Sequence, residues 1–148
     1  MLLILLHRER NQTSERLTDS ERRNYCEKVN SYVQKHYLER PQMEFLANKF
    51  GYDGNAQMLR RDFIRYYGTT PAAISKIKKL EEAKRLLATT TYSMKEIAVK
   101  LKYKSHTHFG MDFKNNIGMT PAEYRKAIKA KREKQMNTKD YQMNLKDY

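Results

Sequence analysis

Residues 97–124, IAVKLKYKSHTHFGMDFKNNIGMTPAEY, have a second version of themselves earlier in the chain, and no other feature restricts the fold as much. Leu46-Ala47-x-Lys49-Phe50-x-Tyr52 aligns with Ile97-Ala98-x-Lys100-Leu101-x-Tyr103 at an offset of 51. Further on, Phe63-x-x-x-x-Gly68-x-Thr70-Pro71-Ala72 aligns with Phe113-x-x-x-x-Gly118-x-Thr120-Pro121-Ala122 at an offset of 50. Stacked solenoids need at least about three repeats to bury a continuous core. Two copies instead imply two sister subdomains.

The pattern around both copies is helical. Thr18-Asp19-Ser20-Glu21 has the form of a capping box. Behind it Tyr25, Val29, Tyr32, Val33, His36 and Tyr37 recur at helical spacing, which predicts a helix to about Leu38. A short helix follows over about 43–50, then Gly51 where a helix commonly ends left-handed, then a helix over about 55–67. Thr70-Pro71 opens a connector helix to about Ala88, since proline at the first helical position loses no hydrogen bond. Its predicted apolar stripe is Ile74, Ile77, Leu80, Ala83 and Leu87. Lys76, Lys78, Lys79, Lys84 and Arg85 are expected on its outer surface. Ser93-x-x-Glu96 is a second capping box opening a helix to about Leu101, Ser105 caps the next, and Thr120-Pro121-Ala122-Glu123 caps the last core helix. No strand pattern occurs in the body. The predicted fold is all-α: two helix-turn-helix subdomains of homeodomain-like type, joined by a long connector helix. Residues 1–17 form a short apolar terminus and linker. The first subdomain covers about 18–69, the connector about 70–88, the second about 92–126, and 127–148 is a basic tail expected to fray and become flexible.

In each copy a short helix carries a small residue, Ala47 or Ala98, where its neighbour approaches closely. A tight turn follows, then a second helix with a polar outer face. This is the order of a DNA-binding helix-turn-helix, whose second helix enters the major groove. An 18-residue connector is about 27 Å long, close to the roughly 34 Å of one duplex turn, so two reading helices on it would suit successive major grooves. Charge agrees. With 30 Lys and Arg against 17 Asp and Glu the net charge is +13, of which +7 falls on residues 41–125 and +4 on residues 126–148. Such an excess suits a polyanion.

From about Val29 to Lys126 the chain resembles the DNA-binding domain of AraC/XylS-type transcription regulators. The resemblance is carried by Leu46-Ala47, Gly51-Tyr52, Phe63 with Gly68, Leu80-Glu81-x-Ala83-Lys84-x-Leu86-Leu87 and Ile97-Ala98. Its most specific part is Phe109-x-x-x-Phe113-Lys114-x-x-x-Gly118-Met119-Thr120-Pro121-x-x-Tyr124-Arg125. It implies promoter-specific binding to double-stranded DNA and contacts to RNA polymerase. It also implies base contacts from outward positions on each reading helix, which fall here on Gln57, Arg60 and Arg61 in the first copy. Arginine can grip guanine through two hydrogen bonds, and glutamine can do the same on adenine. The second copy offers His106, Thr107, Gly110 and Met111. Gly110 has no side chain, and Met111 replaces the arginine usual in the family, so this helix is poor in base-reading chemistry. Asn55, Lys104, Ser105, Lys114 and the helix N-terminus are its candidate phosphate contacts, with the first of these in copy one. Lys102 stands where the family prefers glycine and copy one has Gly51, which predicts stored strain if its φ is positive. The longer first turn is expected to be absorbed at Asp53-Gly54-Asn55.

Other chemistries find little support. His106 and His108 have no third ligand nearby, so no metal or other cofactor is expected. Histidines and carboxylates show no paired arrangement for catalysis, and the chain reads as a non-enzyme. Cys26 is the only cysteine and reads as a buried thiol. The apolar residues 1–6 are far short of the roughly 20 needed to span a membrane, and a cytoplasmic, nucleoid-associated protein is expected. About 20 residues precede the first predicted helix, roughly an eighth of a typical domain, so no small-molecule effector is expected and the chain reads as a monomer or weak dimer. Two rival readings remain: a truncated regulator acting as a protein-interaction module on RNA polymerase or a longer relative, and non-specific nucleic-acid coating driven by charge.

Overall fold

The computed structural model describes residues 17–144, and among them it contains seven α-helices and no strand. The apolar residues 1–6 and nearly all of the expected linker lie outside the described residues. Contacts divide the chain into two units, Met1–Lys79 and Leu80–Tyr148. The division falls inside the connector helix.

In the first unit, α1 (Asp19–Lys35) opens with the expected capping box: Glu21 N donates to Thr18 Oγ1 at 3.3 Å, and Thr18 N donates to Glu21 Oε2 at 2.8 Å. It ends three residues before the predicted Leu38. The short α2 (Met43–Lys49) and the candidate reading helix α3 (Ala56–Tyr67) follow. Their core is Cys26, Val29 and Val33 from α1, Leu46 and Ala47 from α2, the turn residue Tyr52, and Met58, Leu59 and Phe63 from α3. Full burial of a leucine- or phenylalanine-sized side chain contributes about 1.5–3 kcal/mol, so this small unit is held by a few large contacts. Ala47 is fully buried, as its place at the α2–α3 approach requires.

The connector α4 (Pro71–Thr89) crosses the division. Its buried face departs from the predicted stripe. Pro71, Ser75, Lys79, Ala83 and Leu87 are buried at four-residue spacing, with Leu80 and Leu86 beside them. Ile77 is 54% exposed, and Lys79, expected outside, is buried. Helical geometry gives the reason, since a face running through 75 and 79 places 77 on the opposite side.

In the second unit, α5 (Met94–Lys100) and α6 (His106–Ile117) repeat α2 and α3. Ile97, Ala98, Leu101, Phe109 and Phe113 are buried. Rings chain through Tyr103, Phe109, Phe113 and Tyr124 at centroid distances of 5.2, 5.8 and 5.5 Å. Tyr124 belongs to α7 (Pro121–Asn144), whose first turn has its own reciprocal cap between Thr120 and Glu123. The helix runs past Lys126 to Asn144. After Pro121 no glycine or proline occurs, and the following run is rich in Ala, Lys, Glu, Arg and Gln, all strong helix formers.

Candidate nucleic-acid interface

The two reading helices are framed identically. Asn55 and Ser105 cap them, their side-chain oxygens accepting from Met58 N at 2.9 Å and His108 N at 3.0 Å. Gly68 and Gly118 end them at φ +67° and +86°, in the left-handed region that glycine enters freely. All four positions, and every residue between, correspond at an offset of 50.

The turns before them begin alike. Tyr52 N donates to Ala47 O at 3.0 Å, and Tyr103 N donates to Ala98 O at 2.9 Å, the six-to-one bond of a Schellman ending. The residue between helix end and tyrosine is left-handed in both: Gly51 at φ +82° and Lys102 at φ +54°. The expected strain at Lys102 is therefore present. Copy one then needs an extra residue, and Asp53 and Gly54 take positive φ of 47° and 79° while Asn55 N closes onto Tyr52 O at 2.7 Å. Two successive positive φ values are the signature of a primed turn, for which Asp-Gly is a favoured pair.

This framing sends residues 57, 60, 61 and 64 of α3, and 107, 110, 111 and 114 of α6, along one face of each helix. Gln57, Arg60 and Arg61 are all exposed on that face, with Ile64 beside them. Arg61 is 72% exposed, and its Nε lies 4.0 Å from Asp62 Oδ1. On α6 the same stripe reads Thr107, Gly110, Met111 and Lys114. Met111 is 61% exposed, and Thr107 and Lys114 are exposed as well. His106 lies on the flank of the stripe, exposed, and Lys104 is exposed in the turn. Asn55 and Ser105 accept the capping bonds through their side-chain oxygens, and the Asn55 amide N–H and the Ser105 hydroxyl proton are not used in those bonds.

One element was not read from the sequence. Each reading helix carries an aspartate just before its core phenylalanine, and the turn tyrosine hydroxyl donates to it: Tyr52 to Asp62 Oδ2 at 3.2 Å, Tyr103 to Asp112 Oδ2 at 2.8 Å. This ties the turn to the middle of the helix that carries the candidate reading face. In copy one the pair is buried and extended. Arg22 of α1 donates through Nη1 to Asp62 Oδ2 at 3.1 Å, and the Cys26 thiol lies 3.4 Å from the Tyr52 hydroxyl. Burial pushes both the Cys26 thiol and the Tyr52 phenol up, so both keep their protons. The signal was available as Tyr52…Asp62 and Tyr103…Asp112, but separations of ten and nine residues hide it from an alignment at fixed offset. At the helix end, Tyr66 donates to Asp19 Oδ1 at 2.7 Å, which lowers the Asp19 carboxyl, and Arg65 Nη1 stands 3.6 Å from the same oxygen.

A family model described as a helix-turn-helix domain matches residues 46–127, more than half of the chain. The chain belongs to the AraC-type helix-turn-helix family. It is 33% identical over 100 residues to the uncharacterized HTH-type transcriptional regulator YisR of Bacillus subtilis, covering 68% of this chain and 34% of that protein. Among solved structures it is similar to the DNA-binding domain of AdpA, a global transcriptional factor determined in complex with a target DNA. The TM-score is 0.61 at 26% identity, over 73% of this chain and 96% of that one. An AraC-type transcriptional regulator from Chromobacterium violaceum matches with a TM-score of 0.60 at 25% identity, over 70% of this chain and 90% of that one. The chain spans about a third of the length of curated relatives such as YisR. Family membership rests on the α2–α7 region. Among the described residues no helix is long and apolar enough to cross a membrane.

Proposed function

We propose that this AraC-type chain is a sequence-specific, double-stranded DNA-binding transcription regulator. In this reading α3 reads bases through Gln57, Arg60 and Arg61. The α6 helix mainly anchors: Lys104, Ser105 and Lys114 meet phosphates, and His106, Thr107 and Met111 add contacts of lower information. The observation that carries it is the exposed Gln-x-x-Arg-Arg stripe of α3, held by a cap, a left-handed stop and a buried tyrosine–aspartate tie. The AdpA domain, a family neighbour determined on its target DNA, supports the same use of the fold. RNA polymerase is the protein partner that the reading implies, and a cytoplasmic, nucleoid-associated location goes with it.

Selection of bound sequences from a random duplex pool, followed by footprinting, tests the proposal. The expected result is an enriched motif protected over two adjacent major grooves. Equal affinity for every duplex, unchanged by Arg60→Ala with Arg61→Ala, would overturn it. A second reading, a protein-interaction module, draws on Gly110 and Met111, which leave one reading face without strong donors. Capture of polymerase subunits by a chain with no duplex affinity at low salt would favour that alternative.

A further inference from the structure

The last helix holds more charge than its packing uses. Its early turns are fixed to the second unit by the Tyr124 ring against Phe113 at 5.5 Å, by Arg125 Nε donating to Leu87 O at 3.3 Å, and by Arg132 Nη1 donating to Ala88 O at 2.5 Å. From Arg132 to Lys139 every residue is exposed. Residues 126–139 carry Lys126, Lys129, Lys131, Arg132, Lys134 and Lys139 against the single acid Glu133. Lys126 with Lys129, Lys129 with Arg132, and Lys131 with Lys134 stand three apart, where like charges on a helix repel. Among the described residues none of Lys126, Lys129, Lys131 and Lys134 pairs with a carboxylate. The segment has no apolar seam: Met136 is 65% exposed, and no heptad pattern runs through it. A second copy of the chain or a hydrophobic groove therefore has nothing to hold. A polyanion has Lys131, Lys134 and Lys139 on one side of the helix, a span of about 12 Å, the length of about three to four base pairs at 3.4 Å each.

We propose that the exposed stretch of α7 from Lys131 to Lys139 is an arm that lies along the phosphate backbone of duplex flanking the recognised site, contacting it through Lys131, Lys134 and Lys139. The proposal rests on the duplex-binding reading above and adds to it a sequence-independent share of affinity. Exposed lysines on a mobile four-carbon stem suit phosphates, which position a protein without carrying sequence information.

The test uses the full chain and the triple variant Lys131→Gln, Lys134→Gln, Lys139→Gln. Glutamine matches lysine in helix propensity, so circular dichroism should show unchanged helicity. Binding to a selected duplex with ten flanking base pairs on each side and to a random duplex of equal length is measured across a salt series. The slope of log affinity against log salt should become shallower by about 0.9 per lysine, so by about 2.7 in the triple variant. The loss should be equal on both duplexes, leaving their affinity ratio unchanged. A slope that changes by less than about 0.9, or a loss confined to the selected duplex, overturns the arm. An unchanged slope together with lost capture of an acidic protein partner does so too, and reassigns the surface. Failure of the base-reading proposal is seen separately, as a parent chain that binds both duplexes equally.

Discussion

The α2–α3 and α5–α6 pairs share a frame and differ in what they put on it. From cap to left-handed stop the two helices correspond position for position, and both turns close with the same bond from the tyrosine N–H, at 3.0 and 2.9 Å. Outside that frame they diverge. The first copy has a longer turn, a buried Arg22–Asp62–Tyr52 cluster and the stripe Gln57, Arg60, Arg61. The second has a strained lysine in its turn and the stripe Thr107, Gly110, Met111. Packing positions and reading positions are thus separate sets on one helix, so a copy can lose donors for bases without losing its fold. On the proposed reading, the copy closest to the family pattern in its core is the one with fewer donors for bases.

The largest effect that would sharpen this contrast lies in the cluster particular to the first copy. Asp62 is 3% exposed, and its loss would leave Arg22 facing a buried hole. Removing one partner of a buried ion pair costs roughly 3–5 kcal/mol, so Asp62→Ala should lower folding stability by about 3 kcal/mol in urea denaturation. Tyr52→Phe, which removes one hydrogen bond, should cost about 1 kcal/mol. Equal effects of the two variants would mean that Arg22 contributes nothing at this site.

The frame was legible in the sequence because it is built from local rules. Caps at Asn55 and Ser105, stops at Gly68 and Gly118, and apolar residues at helical spacing each follow from a few neighbouring positions. The outward stripes followed from those helices by counting. What could not be read depended on contacts across the fold or on which side of a helix faces inward. Ile77 reads as inward because it is apolar, yet the face through Ser75 and Lys79 turns it outward. The tie from Tyr52 to Asp62 needs the turn folded back on α3. The persistence of α7 was readable in principle, since nothing after Pro121 stops a helix, but a charged run suggests a tail when no partner is in view.

A second break in the comparison is the left-handed turn residue. A Cβ on Gly51 would lie 2.7 Å from the Tyr25 ring, and φ there is +82°. Left-handed backbone costs an ordinary residue about 1–2 kcal/mol before any clash. Gly51→Ala should therefore lose about 2–3 kcal/mol, seen as a lower thermal midpoint. On the reading faces, Arg61→Ala should cost roughly 1–3 kcal/mol of affinity for the selected duplex and relax preference at one base. Met111→Ala should leave base preference unchanged. If the two substitutions weaken binding alike, the assignment of reading to the first copy is wrong.

The smallest expected effect is at Lys102, the counterpart of Gly51. Its φ of +54° stores strain, and unlike Gly51 it already carries a Cβ that its surroundings accommodate. Lys102→Gly relieves about 1–2 kcal/mol of backbone strain. It also gives the unfolded chain more freedom, which costs about 0.4–1 kcal/mol. The net should be a gain of between zero and about 1.6 kcal/mol in stability, measured by urea denaturation, while affinity for random duplex falls slightly through the lost charge. A clear destabilisation would show that the Lys102 side chain holds the turn by a contact of its own. The second copy would then be stabilised at that turn by means the first does not use, and the shared frame would end at the helices rather than include the turn between them.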